Sequence, residues 1–160
     1  MHENLFNHVD VRPGAVNVPN GENPDAEAAC SEYDAIIKSV GGIDLQLLGI
    51  GRNGHIGFNE PGEEFIFGCH EVELSQSTIE ANTRFFDSEA DVPRSAVSLG
   101  IGAIMQAKQV LLIATGAEKA EAIRQAVEGD VSPQWQASIL RTHPDVVFLL
   151  DEAAAAHLHR

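Results

Sequence analysis

Apolar residues along this chain gather into three tight runs, and the stretches between them have helical spacing. Leu47 to Ile50, within residues 44–50, is short enough for a buried strand. Gln109–Ala114 and Val146–Leu150 are near-continuous apolar runs of the kind a parallel sheet buries on both faces. Ahead of the first run, Ala26, Ala29, Tyr33, Ile36 and Ile37 recur at helical spacing and predict a helix with one apolar face. Asn23-Pro24 reads as its cap and first position, and Gly41-Gly42 as its stop. Cys30, next to Ala29, fits as a core filler. A second such helix carries Ala117, Ala120, Ile123 and Val127 on one face and ends at Gly129. Shorter strands are expected at 69–74 and 96–99, and shorter helices over 78–86 and 101–107. Ser132-Pro133 reads as the start of another helix, and the Ala-rich residues 152–158 as a closing one. Strands separated by helices predict an α/β fold, a three-layer α/β/α sandwich on a mostly parallel sheet.

Composition narrows the function. At 160 residues the chain fits one domain with a sizeable core. Its formal net charge is -14, from 24 acidic against 10 basic residues. Such a field repels nucleic acid and anionic membrane, so neither is expected as a partner, and an anionic substrate would need a local basic cluster. Cys30 and Cys69 are too few for a disulfide framework. No apolar run approaches a membrane span, and the polar start Met1-His-Glu-Asn is no signal peptide. A cytoplasmic setting follows as the expectation. His8 and Asp10 have no further ligands at helpful spacing, and His157 and His159 stand at the chain end, so no metal site is expected.

Chemistry concentrates after the first apolar run. Residues 49–62 read Gly-Ile-Gly-Arg-Asn-Gly-His-Ile-Gly-Phe-Asn-Glu-Pro-Gly. Glycines let a ligand approach the backbone closely, and in open α/β sheets ligands sit beyond the carboxyl ends of the strands. His55 and Glu60 are five residues apart on this loop and can converge, one titrating and the other orienting it. Taken alone, the same pattern would also suit a plain glycine-rich turn with a solvated His and Glu.

The loop closely resembles the signature of the glucosamine-6-phosphate deaminases, and the resemblance runs from Met1–Asp10 to Asp145–Asp151. The related 6-phosphogluconolactonases share a Gly-His loop but lack the continuation Phe58-Asn-Glu-Pro61, which disfavours a lactonase-like hydrolase. The resemblance implies a single sugar-phosphate isomerase/deaminase domain over residues 1–160, truncated at its N-terminal side, with a Rossmann-like sheet incomplete on that side. It implies conversion of glucosamine 6-phosphate and water to fructose 6-phosphate and ammonia, with no cofactor. His55 matches the ring-opening histidine, Glu60 the carboxylate that orients it, and Asn53 the third member of that set. Asn cannot take a proton or carry charge, so hydrogen bonding is its role. By itself Arg84 would be a surface residue. It matches the family's lid arginine for the substrate phosphate, and guanidinium geometry suits that contact. Lys119 falls at a helix start, where a cation is unhelpful to the dipole unless an anion is bound. It matches the family's phosphate-contacting lysine.

Two departures stand out. Where regulated members have a hydroxyl, Arg and Lys for an acetylated amino-sugar phosphate, this chain has Glu63, His70 and Val72. Activation by that route is not expected. Members also carry, upstream of the region that begins here at Met1, a Gly-Ser-Thr phosphate loop and an Asp-Glu pair whose Asp is the isomerisation base. Neither is expected among these residues. The chain alone is then expected to be essentially inactive and poorly soluble, with a missing N-terminal segment or a second copy in a homo-oligomer as its expected partner. The alternative is a non-catalytic remnant that binds sugar phosphate or another protein.

Overall fold

The computed structural model describes residues 1–159. Among the described residues, five strands and four α-helices follow one another along the chain. They are α1 (Ala26–Ser39), β1 (Leu45–Leu48), β2 (His70–Glu73), α2 (Gln76–Asn82), β3 (Ser95–Ser98), α3 (Ile101–Met105), β4 (Gln109–Ala114), α4 (Ala120–Glu128) and β5 (Val146–Leu150). β1, β4 and β5 form a parallel sheet in the order β1-β4-β5, with Leu48 beside Leu112 and Leu112 beside Phe148. β2 and β3 pair antiparallel in a separate two-stranded sheet. The fold is α/β around a parallel sheet that stays open.

Alternation along the strands decides which face is covered. Leu48, Val110, Leu112 and Ala114 point to one side and are buried with Ile101 and Ile104 of α3, Ala122, Ile123 and Ala126 of α4, and Ala137 and Leu140. Burial of the Leu, Ile and Val side chains among them contributes roughly 1.5–3 kcal/mol each, which makes this layer the stabilising core. The opposite side carries Leu45, Leu47, Ile113, Val147 and Leu149, and no element among the described residues covers them: Leu47 is 59% and Leu149 55% exposed. The sheet is a sandwich with one helical layer in place. The near-continuous apolar strands thus meet protein on only one of the two faces their composition suits.

Three local expectations change. The cap of α1 is Asp25, whose carboxylate accepts from the Ala28 N–H at 2.9 Å, while Asn23 accepts from the Asp25 N–H one step earlier. Ser132-Pro133 does not open a helix: Ser132 bridges to Trp135, and a 3-10 helix runs over Gln136–Thr142. Residues 152–158 form successive turns rather than a helix, anchored where the Asp151 carboxylate accepts from the Ala154 N–H. No helix among the described residues is long and apolar enough to cross a membrane.

Candidate active site

β1 runs out at Leu48 into a loop folded on itself by its glycines. Gly54 N–H donates to the Gly51 carbonyl at 3.0 Å and Gly51 N–H to the His55 carbonyl at 2.9 Å. Gly54 has φ +84, open to glycine but strained for other residues, and the Trp135 side chain lies where a Cβ would stand. Ile56 is fully buried and Asn59 nearly so; Asn59 Nδ2 donates to the Ile56 and Leu99 carbonyls at 2.9 Å each. Ala137 N–H donates to the Gly54 carbonyl, tying the loop to the 3-10 helix beneath it. A loop pinned at 54, 56 and 59 presents the residues between those points in fixed directions.

Those residues converge on Glu60. His55 Nδ1 lies 3.6 Å from Glu60 Oε2, an ion-pair distance longer than a hydrogen bond, with the two side chains 18% and 8% exposed. Asn53 Nδ2 donates to the same oxygen at 2.6 Å, and its own Oδ1 accepts from the His55 N–H at 3.2 Å. The other carboxylate oxygen accepts from Thr78 Oγ1 at 2.5 Å and from the Ser75 N–H at 3.4 Å. Thr78 Oγ1 is also 3.4 Å from His55 Nδ1, so the hydroxyl bridges imidazole and carboxylate. Burial alone would raise the Glu60 pKa. The His55 imidazole beside it, the Thr78 hydroxyl and the Asn53 amide together outweigh it and bring the value to about 2. Glu60 is therefore a carboxylate at any ordinary pH.

Ser75 and Thr78 were absent from the residues expected here. Ser75 caps α2, its side chain accepting from the Thr78 N–H, and Thr78 is buried one turn in. The signal was local: a Ser-x-x-Thr pair at a helix start reads first as a cap, and its second use appears only when the loop folds over it.

The two expected phosphate residues lie on different elements. Lys119 is at the N-cap position of α4, and its ammonium donates to the Ile50 carbonyl, the end of β1's run, at 2.7 Å. Burial lowers its pKa; Glu118 opposes this, and the charges of Arg52 and Arg84 lower it further. Arg84 sits in the 3-10 turn after α2, exposed, with its guanidinium 4.7 Å from the Phe85 ring centroid. The chain's Asp-Glu dipeptide, Asp151-Glu152, is not an acid–base pair at this site, since the Asp151 carboxylate accepts from the Gly116 and Ala154 N–H groups. His157 and His159 pair with Glu121 and Glu128, and no cluster suited to a metal occurs among the described residues.

The model of the family described as glucosamine-6-phosphate isomerases/6-phosphogluconolactonase matches residues 1–148. A glucosamine-6-phosphate deaminase of Clostridioides difficile is 54% identical over 159 residues, covering 99% of this chain and 64% of that protein. One from Leuconostoc citreum is 54% identical over 158 residues, covering 99% of this chain and 66% of that protein. The chain thus spans just under two thirds of the length of these relatives. The structure of a monomeric glucosamine-6-phosphate deaminase superposes with TM-score 0.95 at 45% identity, covering 99% of this chain and 66% of that one. A 6-phosphogluconolactonase of Thermotoga maritima, 23% identical with TM-score 0.67 over 93% of this chain and 62% of that one, shares the fold alone. The chain belongs to the glucosamine-6-phosphate isomerase/6-phosphogluconolactonase family.

Proposed function

We propose that this chain is the ring-opening part of a glucosamine-6-phosphate deaminase acting in the cytoplasm, in the breakdown of amino sugars. The whole reaction converts glucosamine 6-phosphate and water to fructose 6-phosphate and ammonia. The observation that carries the proposal is the convergence of His55, Asn53 and Thr78 on the Glu60 carboxylate at the end of β1. High identity to relatives named for that activity supports it.

In this proposal Glu60 faces His55 Nδ1 and holds the tautomer that carries its proton there. Nε2 is then free to take the proton of the anomeric hydroxyl and return it to the ring oxygen. Asn53 and Thr78 keep the carboxylate in place by donating to its two oxygens. Arg84 and Lys119 hold the phosphate, the one as a fork and the other as a point charge. Isomerisation of the open chain needs a further base, which these residues do not supply at the site.

Ammonia release from glucosamine 6-phosphate tests the proposal. The 160-residue chain alone should be essentially inactive, and the chain joined to the upstream segment of a family member should be active. Removing one positioned acid–base group typically costs about 10²–10⁴-fold in rate. Turnover by the chain alone near that of an intact member would overturn the division of labour. Lactone hydrolysis without ammonia release in the joined form would overturn the deaminase assignment.

A further inference from the structure

Arg52 occupies the tip of the turn closed by Gly51, Gly54 and His55, with Asn53 beside it as the other central residue. Asn53 turns inward to Glu60, whereas Arg52 is exposed, and none of the ion pairs among the described residues includes it. The Lys119 ammonium is fastened to the Ile50 carbonyl, two residues before Arg52. Lys119 therefore stands beside the base of the turn whose tip is Arg52. Arg84 lies in the segment after α2, the helix that also holds Glu60 through Thr78.

Resting on the sugar-phosphate reading above, we propose that Arg52 is a third anion-binding residue, forming with Arg84 and Lys119 a cradle for the phosphate group of the substrate. Supporting electrostatics come from Lys119, whose pKa burial depresses and the charges of Arg52 and Arg84 depress further, against the pull of Glu118. In a chain of net charge -14, a lysine on which the charges of two arginines both act is a local exception. The three cations repel one another, and a dianion between them converts the repulsion into attraction. A guanidinium at the turn tip can meet two phosphate oxygens at once. Arg52 also adjoins Asn53 in sequence, so an anion held by Arg52 would fix the substrate relative to the Asn53–Glu60–His55 set.

The test is calorimetric titration of the 160-residue chain with glucosamine 6-phosphate and, separately, inorganic phosphate. Wild type, Arg52→Gln, Arg52→Lys and Arg84→Gln are compared, with thermal melting as the check on folding. Arg52→Gln is expected to weaken both ligands by about fivefold or more, the scale of one charge-assisted contact. Arg52→Lys should recover part of that loss, because it keeps the charge without the fork. If Arg52→Gln unfolds, Arg52→Lys carries the comparison, and an intermediate loss is the expected result. NMR titration of Lys119 should show its pKa rising in Arg52→Gln. Unchanged affinity in Arg52→Gln beside a loss in Arg84→Gln overturns the role of Arg52 and leaves the Arg84–Lys119 site standing. A loss confined to the sugar phosphate takes Arg52 off the phosphate and likewise overturns the cradle. Unchanged affinity in both variants, or a wild-type chain that binds neither ligand, overturns the cradle and the sugar-phosphate reading together.

Discussion

Asn53 Nδ2 donates to Glu60 Oε2 at 2.6 Å, and this is the carboxylate oxygen that faces His55 Nδ1. The amide therefore fixes the rotation of the carboxylate while adding no charge of its own. With Thr78 on the other oxygen, Glu60 is held from two sides by neutral donors, so its negative charge stays available to the imidazole.

The depressed Glu60 pKa predicts a pH signature. A carboxyl whose folded value is about 2 lies below its unfolded value of about 4.3. Its ionised form then adds stability that is fully present above the unfolded value and is lost as pH falls toward 2. The contribution is on the order of 2–3 kcal/mol. Thermal melts of wild type and Glu60→Gln across pH 7 to 2 should converge as the medium is acidified. Parallel curves would show that Glu60 is not held as described.

Thr78→Val should remove the donor to Glu60 Oε1 while nearly preserving shape. A hydrogen bond to a charged group contributes about 1.5–3 kcal/mol. The expected result is a raised Glu60 pKa, read by carboxyl ¹³C NMR, with Thr78→Ser close to wild type. A Glu60 titration unmoved in Thr78→Val would place the hydroxyl outside the set.

Gly51→Ala tests close packing rather than backbone conformation. A Cβ there would overlap the His55 ring and stand 2.7 Å from Asn53 Oδ1, so both must move. The variant should fold, losing about 1–3 kcal/mol as overpacked sites do, and ring opening should fall by an order of magnitude or more. Full ring-opening activity in Gly51→Ala would mean His55 works from another position.

Glu63, His70 and Val72 line one cavity of about 310 Å³ together with Glu60, Glu64 and Glu73. Carboxylates on that scale repel a phosphate. In a longer form containing this region, the acetylated amino-sugar phosphate should leave substrate saturation unchanged. A sigmoidal curve made hyperbolic by that compound would contradict this.

Much of this molecule was legible in its sequence, and what was not has physical causes. Strands β1, β4 and β5 announced themselves because their apolar runs are short and bounded by Gly, Thr or His-Pro. The signature loop placed His55, Asn53 and Glu60 on one segment, and the fold brings those three side chains together. Thr78 and Ser75 were hidden because they reach Glu60 across 15 or more residues, and a cap motif explains them locally. The Ser132-Pro133 start failed because the Ser132 N–H and carbonyl are both satisfied by the Ser138 hydroxyl, which folds the segment into a tight bridge before any helix begins. The apolar composition of β4 and β5 suits burial on two sides, and among the described residues only one side is covered. Leu47, Val147 and Leu149 standing in solvent predict that the isolated chain is poorly soluble, and sedimentation of a dilution series should show self-association.

The central claim is that His55, oriented by Glu60, opens the sugar ring. Two-dimensional exchange NMR of glucosamine 6-phosphate measures it directly, because the α and β anomers interconvert only through the open chain and no isomerisation base is required. Wild-type chain should accelerate anomer exchange, and His55→Gln should return it to the rate in buffer. Exchange as fast with His55→Gln as with wild type would contradict the claim.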